Sequence, residues 1–199
     1  ICGICSCGHG LGYCMAVENV MGIDVPERAQ YLRVIWVEMS RIHSHLLWLG
    51  LLADALGFES LFMESWRVRE KILDMFDETT GGRIIHSVNQ VGGVQKDMDS
   101  SMLKHLLETI KDIERDIKPL VDTFLKDYTV QSRLKGTGIL KKDDAILLGA
   151  VGPMLRASGV EYDVRMLGYG AYKNLSMEPV TCTDGDSYGR CVVRIKELF

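Results

Sequence analysis

Apolar positions recur along this chain at helical spacing for most of its first 130 residues. In Gly10–Met21, "GLGYCMAVENVM", Tyr13, Val17 and Met21 fall one turn apart and predict a short buried helix. "GIDVPER" reads as a turn, with Pro26 suited to open the next helix. From Glu27 to Leu56 the residues are apolar nearly all round, including Val34 to Val37 and Leu46 to Leu49. A helix of that kind is central in a bundle, and Gly57 fits its C-terminal stop. Glu59–Thr80 predicts a third helix on Leu61, Phe62, Trp66, Ile72, Leu73 and Phe76, ended by "TGGR". The loop "HSVNQVGGVQKD" follows.

The cleanest amphipathic pattern spans Asp99–Lys126, with Leu103, Leu106, Ile110, Ile113, Ile117, Leu120 and Phe124 on one face. Asp99 or Ser100 can cap it, and Pro119 predicts a kink or a break. Beyond it the chain becomes glycine-rich, with short helical or extended pieces and a possible small β-hairpin near Val180. No fixed-period repeat is present. The pattern predicts a mainly α fold with minor β: residues 1–130 a helical bundle with an N-terminal ligand loop, residues 131–199 an irregular, partly helical section of the same domain.

The 199 residues are 47% hydrophobic and 25% charged, an ordinary globular balance that supports a sizeable core. A net charge of −4 with no basic block argues against nucleic acid as a partner. No apolar run reaches the ~18 residues of a membrane span, and no signal peptide is visible. The chain opens with Ile inside a motif and closes on "CVVRIKELF", still in helical register; both ends predict a piece of a longer protein.

Chemistry concentrates at the start, "ICGICSCGHG". Cys2 and Cys5 have the C-x-x-C spacing that sets two sulfurs on one small cavity. That suits zinc, an iron–sulfur cluster, a redox disulfide or a dinuclear metal site. A closed zinc site needs four ligands, and no second C-x-x-C or H-x-x-x-H is present. No strand precedes Cys2, as a thioredoxin-like motif requires. Cys7 and Cys14 could complete a four-cysteine set; as small buried hydrophobes they need no such role, and the same holds for Cys182 and Cys191. "GTG" at 136–138 lacks the rest of a phosphate loop.

The surrounding words resemble a known family. "ICGICSCGH" is similar to the C-G-x-C-x-x-x-H signature of nickel–iron hydrogenase large subunits, carried here by Cys2, Gly3, Cys5 and His9. The similarity continues through "AVENVMGIDVPERAQYLRVIWVEMSRIHSHLLWLG", "GGVQKD", "VGPMLRASGVEYDVR", "YGAYKNL" and "GDSYGRCVVRIKE". It resembles most the energy-converting, membrane-associated branch, which is related to the quinone-site subunit of respiratory NADH:quinone oxidoreductase. In those respiratory relatives the metal-binding cysteines are missing, so Cys2 and Cys5 favour the hydrogenase.

The resemblance implies Cys2 as a terminal thiolate on nickel and Cys5 as a bridge between nickel and iron, in a centre that splits H2 heterolytically. It implies His9 as a donor to a sulfur. The family's second C-x-x-C is absent, since Cys182 and Cys191 are nine apart. The nickel–iron centre is therefore expected in the full-length parent and not in this piece, which is expected to be inactive alone.

Glu38, Arg41 and His45 share one helix face, whereas His43 points elsewhere. The resemblance sets that stripe against an iron–sulfur cluster of a partner; the plain reading is a self-satisfied polar network. Glu18 is a candidate for a proton path, or an ordinary carboxylate paired with a nearby base. Arg165, among glycines with Arg156, is expected either to face the metal or quinone cavity or to pair with Glu161 or Asp163. The implied partners are a small iron–sulfur subunit and membrane subunits, with the assembly on the cytoplasmic face of the membrane; an isolated piece is expected to pair with itself over the bared surface. The rival functions are a quinone-reducing subunit and a non-catalytic electron-transfer scaffold.

Overall fold

The structure, a computed structural model, describes residues 2–199 and is mainly α. Eight helices follow one another among these residues: α1 (Ser6–Met21), α2 (Glu27–Ala55), α3 (Glu59–Thr80), α4 (Ser100–Lys126), α5 (Tyr128–Leu134), α6 (Lys142–Leu147), α7 (Gly152–Ala157) and α8 (Ser187–Lys196). Between α3 and α4 lies a two-stranded antiparallel ribbon, β1 (Asn89–Gln90) and β2 (Gly93–Val94), with Asn89 opposite Val94. Two 3-10 turns, Val164–Leu167 and Gly170–Asn174, join α7 to α8. No helix among the described residues is long and apolar enough to cross a membrane.

Helix α2 is the axis, and it packs most extensively on α3. Leu32, Trp36, Met39, Leu46, Leu49 and Ala53 are buried along it at steps of three, four and seven residues. Trp36 is fully buried, and its indole N–H donates to Thr79 Oγ1 at 3.1 Å, so the one polar atom of that ring is satisfied. Close approach of the two helices needs Gly50: a Cβ there would stand 2.5 Å from Trp66 Cδ1. The same core takes Ile113, Ile117 and Phe124 from α4, Val130 from α5, and Cys191, Ile195 and Leu198 from α8 and its end.

Local chemistry sets the helix ends. Asp99 caps α4, accepting from Met102 N at 2.8 Å; Asp127 caps α5 and Asp186 caps α8 in the same way. Pro26 is the residue before α2, one position earlier than its expected place inside the helix. Helix α4 continues through Pro119. That residue is on the exposed face, where solvent can satisfy the carbonyl left without an N–H partner.

Two expectations need correction. Helix α1 forms, but its buried stripe is Cys7, Leu11, Cys14 and Glu18, while Tyr13 and Met21 are exposed. Among the described residues no strand forms near Val180. The ribbon lies instead at 89–94, where Gly92 at φ 83° makes the turn. Residue 130 lies within α5, whose Val130 and Leu134 join the bundle core.

Candidate functional site: a cysteine pair and a buried charge network

Cys2 and Cys5 are exposed free thiols at the mouth of α1. Cys5 is the residue that caps α1 without a side-chain bond. The Ile4 N–H points at Cys2 Sγ, 3.3 Å away. A hydrogen bond from the Cys5 side chain lowers the Cys2 thiol, while lost hydration and that same bond raise Cys5. Of the two thiols, Cys2 is therefore the more acidic. His9 is exposed one turn on; its backbone N–H donates to the Cys5 carbonyl at 3.1 Å, and its ring has no hydrogen-bond partner among the described residues. Nor do three or more His, Cys, Asp or Glu side chains converge as a metal site among those residues. Cys7, Cys14 and Cys191 are buried as small hydrophobes, and burial pushes the Cys7 thiol up to about 11. Cys182 differs: it is half-buried and donates to Asp184 Oδ2 at 3.2 Å.

Behind the loop, Glu18 is buried and receives both arms of Arg33, at 2.6 and 3.1 Å, and the Gly92 N–H at 2.8 Å. The Arg33 bond holds its carboxyl below the usual range despite burial. Arg33 also donates to the carbonyls of Gln90 and Gly93, so one guanidinium fastens α1 and the ribbon to α2. This is the paired-carboxylate reading of Glu18. Glu18 and Arg33 line one wall of a cavity of about 270 Å³, with Tyr169 and Lys173 on another.

On the opposite stretch of α2 the polar stripe becomes a network. Arg41 bonds Glu38 at 3.1 Å; Arg165 reaches the same carboxylate at 3.2 Å, and the Tyr172 hydroxyl donates to it. Arg165 also pairs with Asp163 at 2.9 Å, a buried pair where a surface-loop pairing was one expectation, and no pairing with Glu161 forms among the described residues. Asp163 is shared with Arg156 at 3.0 Å, and Arg156 continues to Glu197. Glu197 bonds His45 Nε2 at 2.7 Å. The structure therefore gathers Glu38, Arg41 and Arg165 directly, and joins His45 to them only through Glu197, Arg156 and Asp163.

Burial alone would raise Asp163, but the Arg165 bonds hold its carboxyl down at about 2. Burial lowers His45, against the pull of Glu197. His43 points away, as expected, accepting from Arg69 Nη2 at 2.6 Å; burial beside that cation puts it at about 4. Arg33, Tyr172 and Glu197 escaped sequence reasoning. Only the pairing of a lone Glu18 with some nearby base hinted at Arg33.

Comparison with known proteins divides the chain between α2 and α3. The family described as respiratory-chain NADH dehydrogenase, 49 Kd subunit, matches residues 55–199, and nickel-dependent hydrogenase matches residues 1–59. The chain belongs to the NADH dehydrogenase 49 kDa subunit family. Its similarity within this hydrogenase-like family is broad. It is 40% identical to the membrane-bound hydrogenase subunit alpha of Pyrococcus furiosus, over 100% of this chain and 48% of that one. It is 41% identical to a subunit of the NADH-quinone oxidoreductase of Protochlamydia amoebophila, over 92% of this chain and 46% of the relative. With formate hydrogenlyase subunit 5 of Escherichia coli the figures are 39%, 100% and 35%.

The 49 kDa-type fold is also that of a solved chain from the membrane-bound sulfane sulfur reductase, an archaeal respiratory membrane complex. The TM-score is 0.88 at 34% identity, over 94% of this chain and 50% of the other. The chain thus spans half or less of the length of these relatives. Two of them, the membrane-bound hydrogenase subunit alpha and formate hydrogenlyase subunit 5, align over the whole of this chain, cysteine loop included.

Proposed function

We propose that this chain is the core of a hydrogenase-type catalytic subunit, in which Cys2 and Cys5 give two of the thiolates of a nickel–iron centre. One observation carries the reading: the nickel-dependent hydrogenase match covers residues 1–59, and within it the only exposed thiols among the described residues are Cys2 and Cys5. Soft thiolates suit nickel and low-spin iron. Two donors are half of such a set, and no third converges on them among the described residues, so this chain alone is proposed to be inactive. When bound, the centre supplies heterolytic splitting or formation of H2.

The chain's own residues then have separate tasks. Cys2 and Cys5 would both hold the centre, each as a thiolate through its sulfur. His9, with its ring free one turn away, would donate to a sulfur. Glu18 and Arg33 hold the floor behind the loop, and Glu18 would pass a proton to the adjoining cavity. Glu38, Arg41 and His45 would face a cluster of a small iron–sulfur subunit, with Arg165 holding Glu38 in place. Membrane subunits would complete the assembly on the cytoplasmic face.

A second reading has its own support. Residues 55–199 match the NADH dehydrogenase subunit, and quinone oxidoreductase relatives are as similar as the hydrogenases; on that reading the assembly reduces quinone. Oxygen-free purification of the full-length parent in its complex decides between them. The hydrogenase reading expects about one nickel per subunit and H2 oxidation abolished by C2A or C5A. A nickel-free complex that reduces quinone, with C2A and C5A both silent, overturns it.

A further inference from the structure

The cysteine loop is tied down at three points around Cys5. Ser40, on α2, donates its hydroxyl to the Ile4 carbonyl at 3.3 Å. Ser6 donates to the Ile84 carbonyl at 2.9 Å. Asn89, on β1, donates through Nδ2 to the Cys7 carbonyl at 3.1 Å, with Cys7 Sγ 3.8 Å from the same nitrogen. The ties reach three separate parts of the fold: the central helix, the segment after α3, and the ribbon that Arg33 fastens in turn. Ser6 and Ser40 are both buried.

Only one end of the Asn89 amide is satisfied. Its carbonyl oxygen is buried and has no hydrogen-bond partner among the described residues. An unmatched buried acceptor is costly, and the bonding this amide does make goes to the cysteine loop. Two exposed thiols on a short loop would otherwise sample many separations, and ordering them only when metal arrives would weaken binding.

We propose that Asn89 and Ser40 are positioning residues that set the Cys2–Cys5 sulfur pair before any metal binds. The inference deepens the reading of that pair as metal donors and rests on it for its purpose, but the fastening is testable without nickel. Phenylarsine oxide is a suitable probe: arsenic forms one bond to each of two thiols and its oxygen leaves as water with both thiol protons. Its affinity rises when the two sulfurs are already held close.

The experiment measures phenylarsine oxide binding to the 199-residue chain, oxygen-free and kept reduced with a phosphine, with a thermal melt on each variant. C2S marks the site by losing the tight binding. N89A and S40A are each expected to weaken binding by about tenfold, whereas S40T and N89Q, which keep a donor, recover most of it. Should N89A fail to fold, the S40A and S40T pair carries the test. Unchanged affinity in folded S40A or folded N89A, or a wild-type chain that does not hold the arsenical, overturns the proposal. A nickel-free complex together with the expected arsenical pattern overturns the hydrogenase reading and leaves the positioning role standing.

Discussion

His45 Nε2 lies 2.7 Å from Glu197 Oε2, across 152 residues of sequence, and both side chains are almost wholly buried. The bond docks the end of α8 on the middle of α2. Glu197 also takes Arg156, itself 3% exposed, so the carboxylate compensates a cation that has left water. Removing one member of such a buried set strands the others. E197A should cost about 3 kcal/mol and lower the melting temperature by roughly 6–12 °C. E197Q keeps the hydrogen bonds and should cost less. Circular dichroism melts of the two variants check this; equal, small losses would show that the pair does not hold α8.

Acid should weaken the fold in two windows. His43 sits at about 4 in the fold against an ordinary 6.5, so between those values the unfolded chain binds the extra proton. Stability therefore falls as pH drops from 6.5 to 4, and His45 and His86, both lowered, act with the same sign. Asp163, at about 2 against 3.8, holds stability above its unfolded value and loses it as pH falls from 3.8 to 2. Urea titrations at stepped pH should show both slopes. H43Q keeps an acceptor for Arg69 and should flatten the upper one.

The network behind these slopes was legible only where its members are neighbours. Glu38 and Arg41 announce themselves by an i, i+3 step on an apolar helix. Glu197 and Arg156 join the same charges from 100 or more residues away, a relation that no local pattern encodes. Helices α2, α3 and α4 follow from periodicity because burying an apolar stripe dominates their energetics. Helix α1 misled because its exposed face carries Tyr13, Val20 and Met21 while its buried face includes Glu18. A carboxylate goes inside there because Arg33 meets it with two bonds. The ribbon was missed because strands of two residues carry no alternation to read. The cysteine pair was legible from spacing and resemblance, but not the side chains that fasten it.

Packing between α2 and α3 tolerates no extra carbon at Gly50. A Cβ there meets Trp66 Cδ1 at 2.5 Å and Phe62 Cδ2 at 3.4 Å. Alanine favours a helix over glycine by roughly 1 kcal/mol, so propensity alone predicts that G50A stabilises. Overpacking opposes this with about 1–3 kcal/mol. G50A should therefore be destabilising, and the tryptophan emission should shift as Trp66 is displaced. A higher melting temperature would mean that the helices simply slide apart.

Glu18 and Arg33 offer the sharpest separation of structure from proton handling. Each side chain is no more than 7% exposed, and the pair is satisfied from both sides. E18Q strands Arg33, and R33M strands Glu18; each should cost about 3 kcal/mol. The double variant E18Q/R33M removes both charges and should recover part of the loss, giving a coupling of at least about 1 kcal/mol in a double-mutant cycle. In the full-length complex, a role in proton transfer makes E18Q slow turnover more than R33M does, although both disturb the same pair. Equal slowing in the two variants would assign Glu18 to fastening the ribbon and α1, and leave the proton to another route.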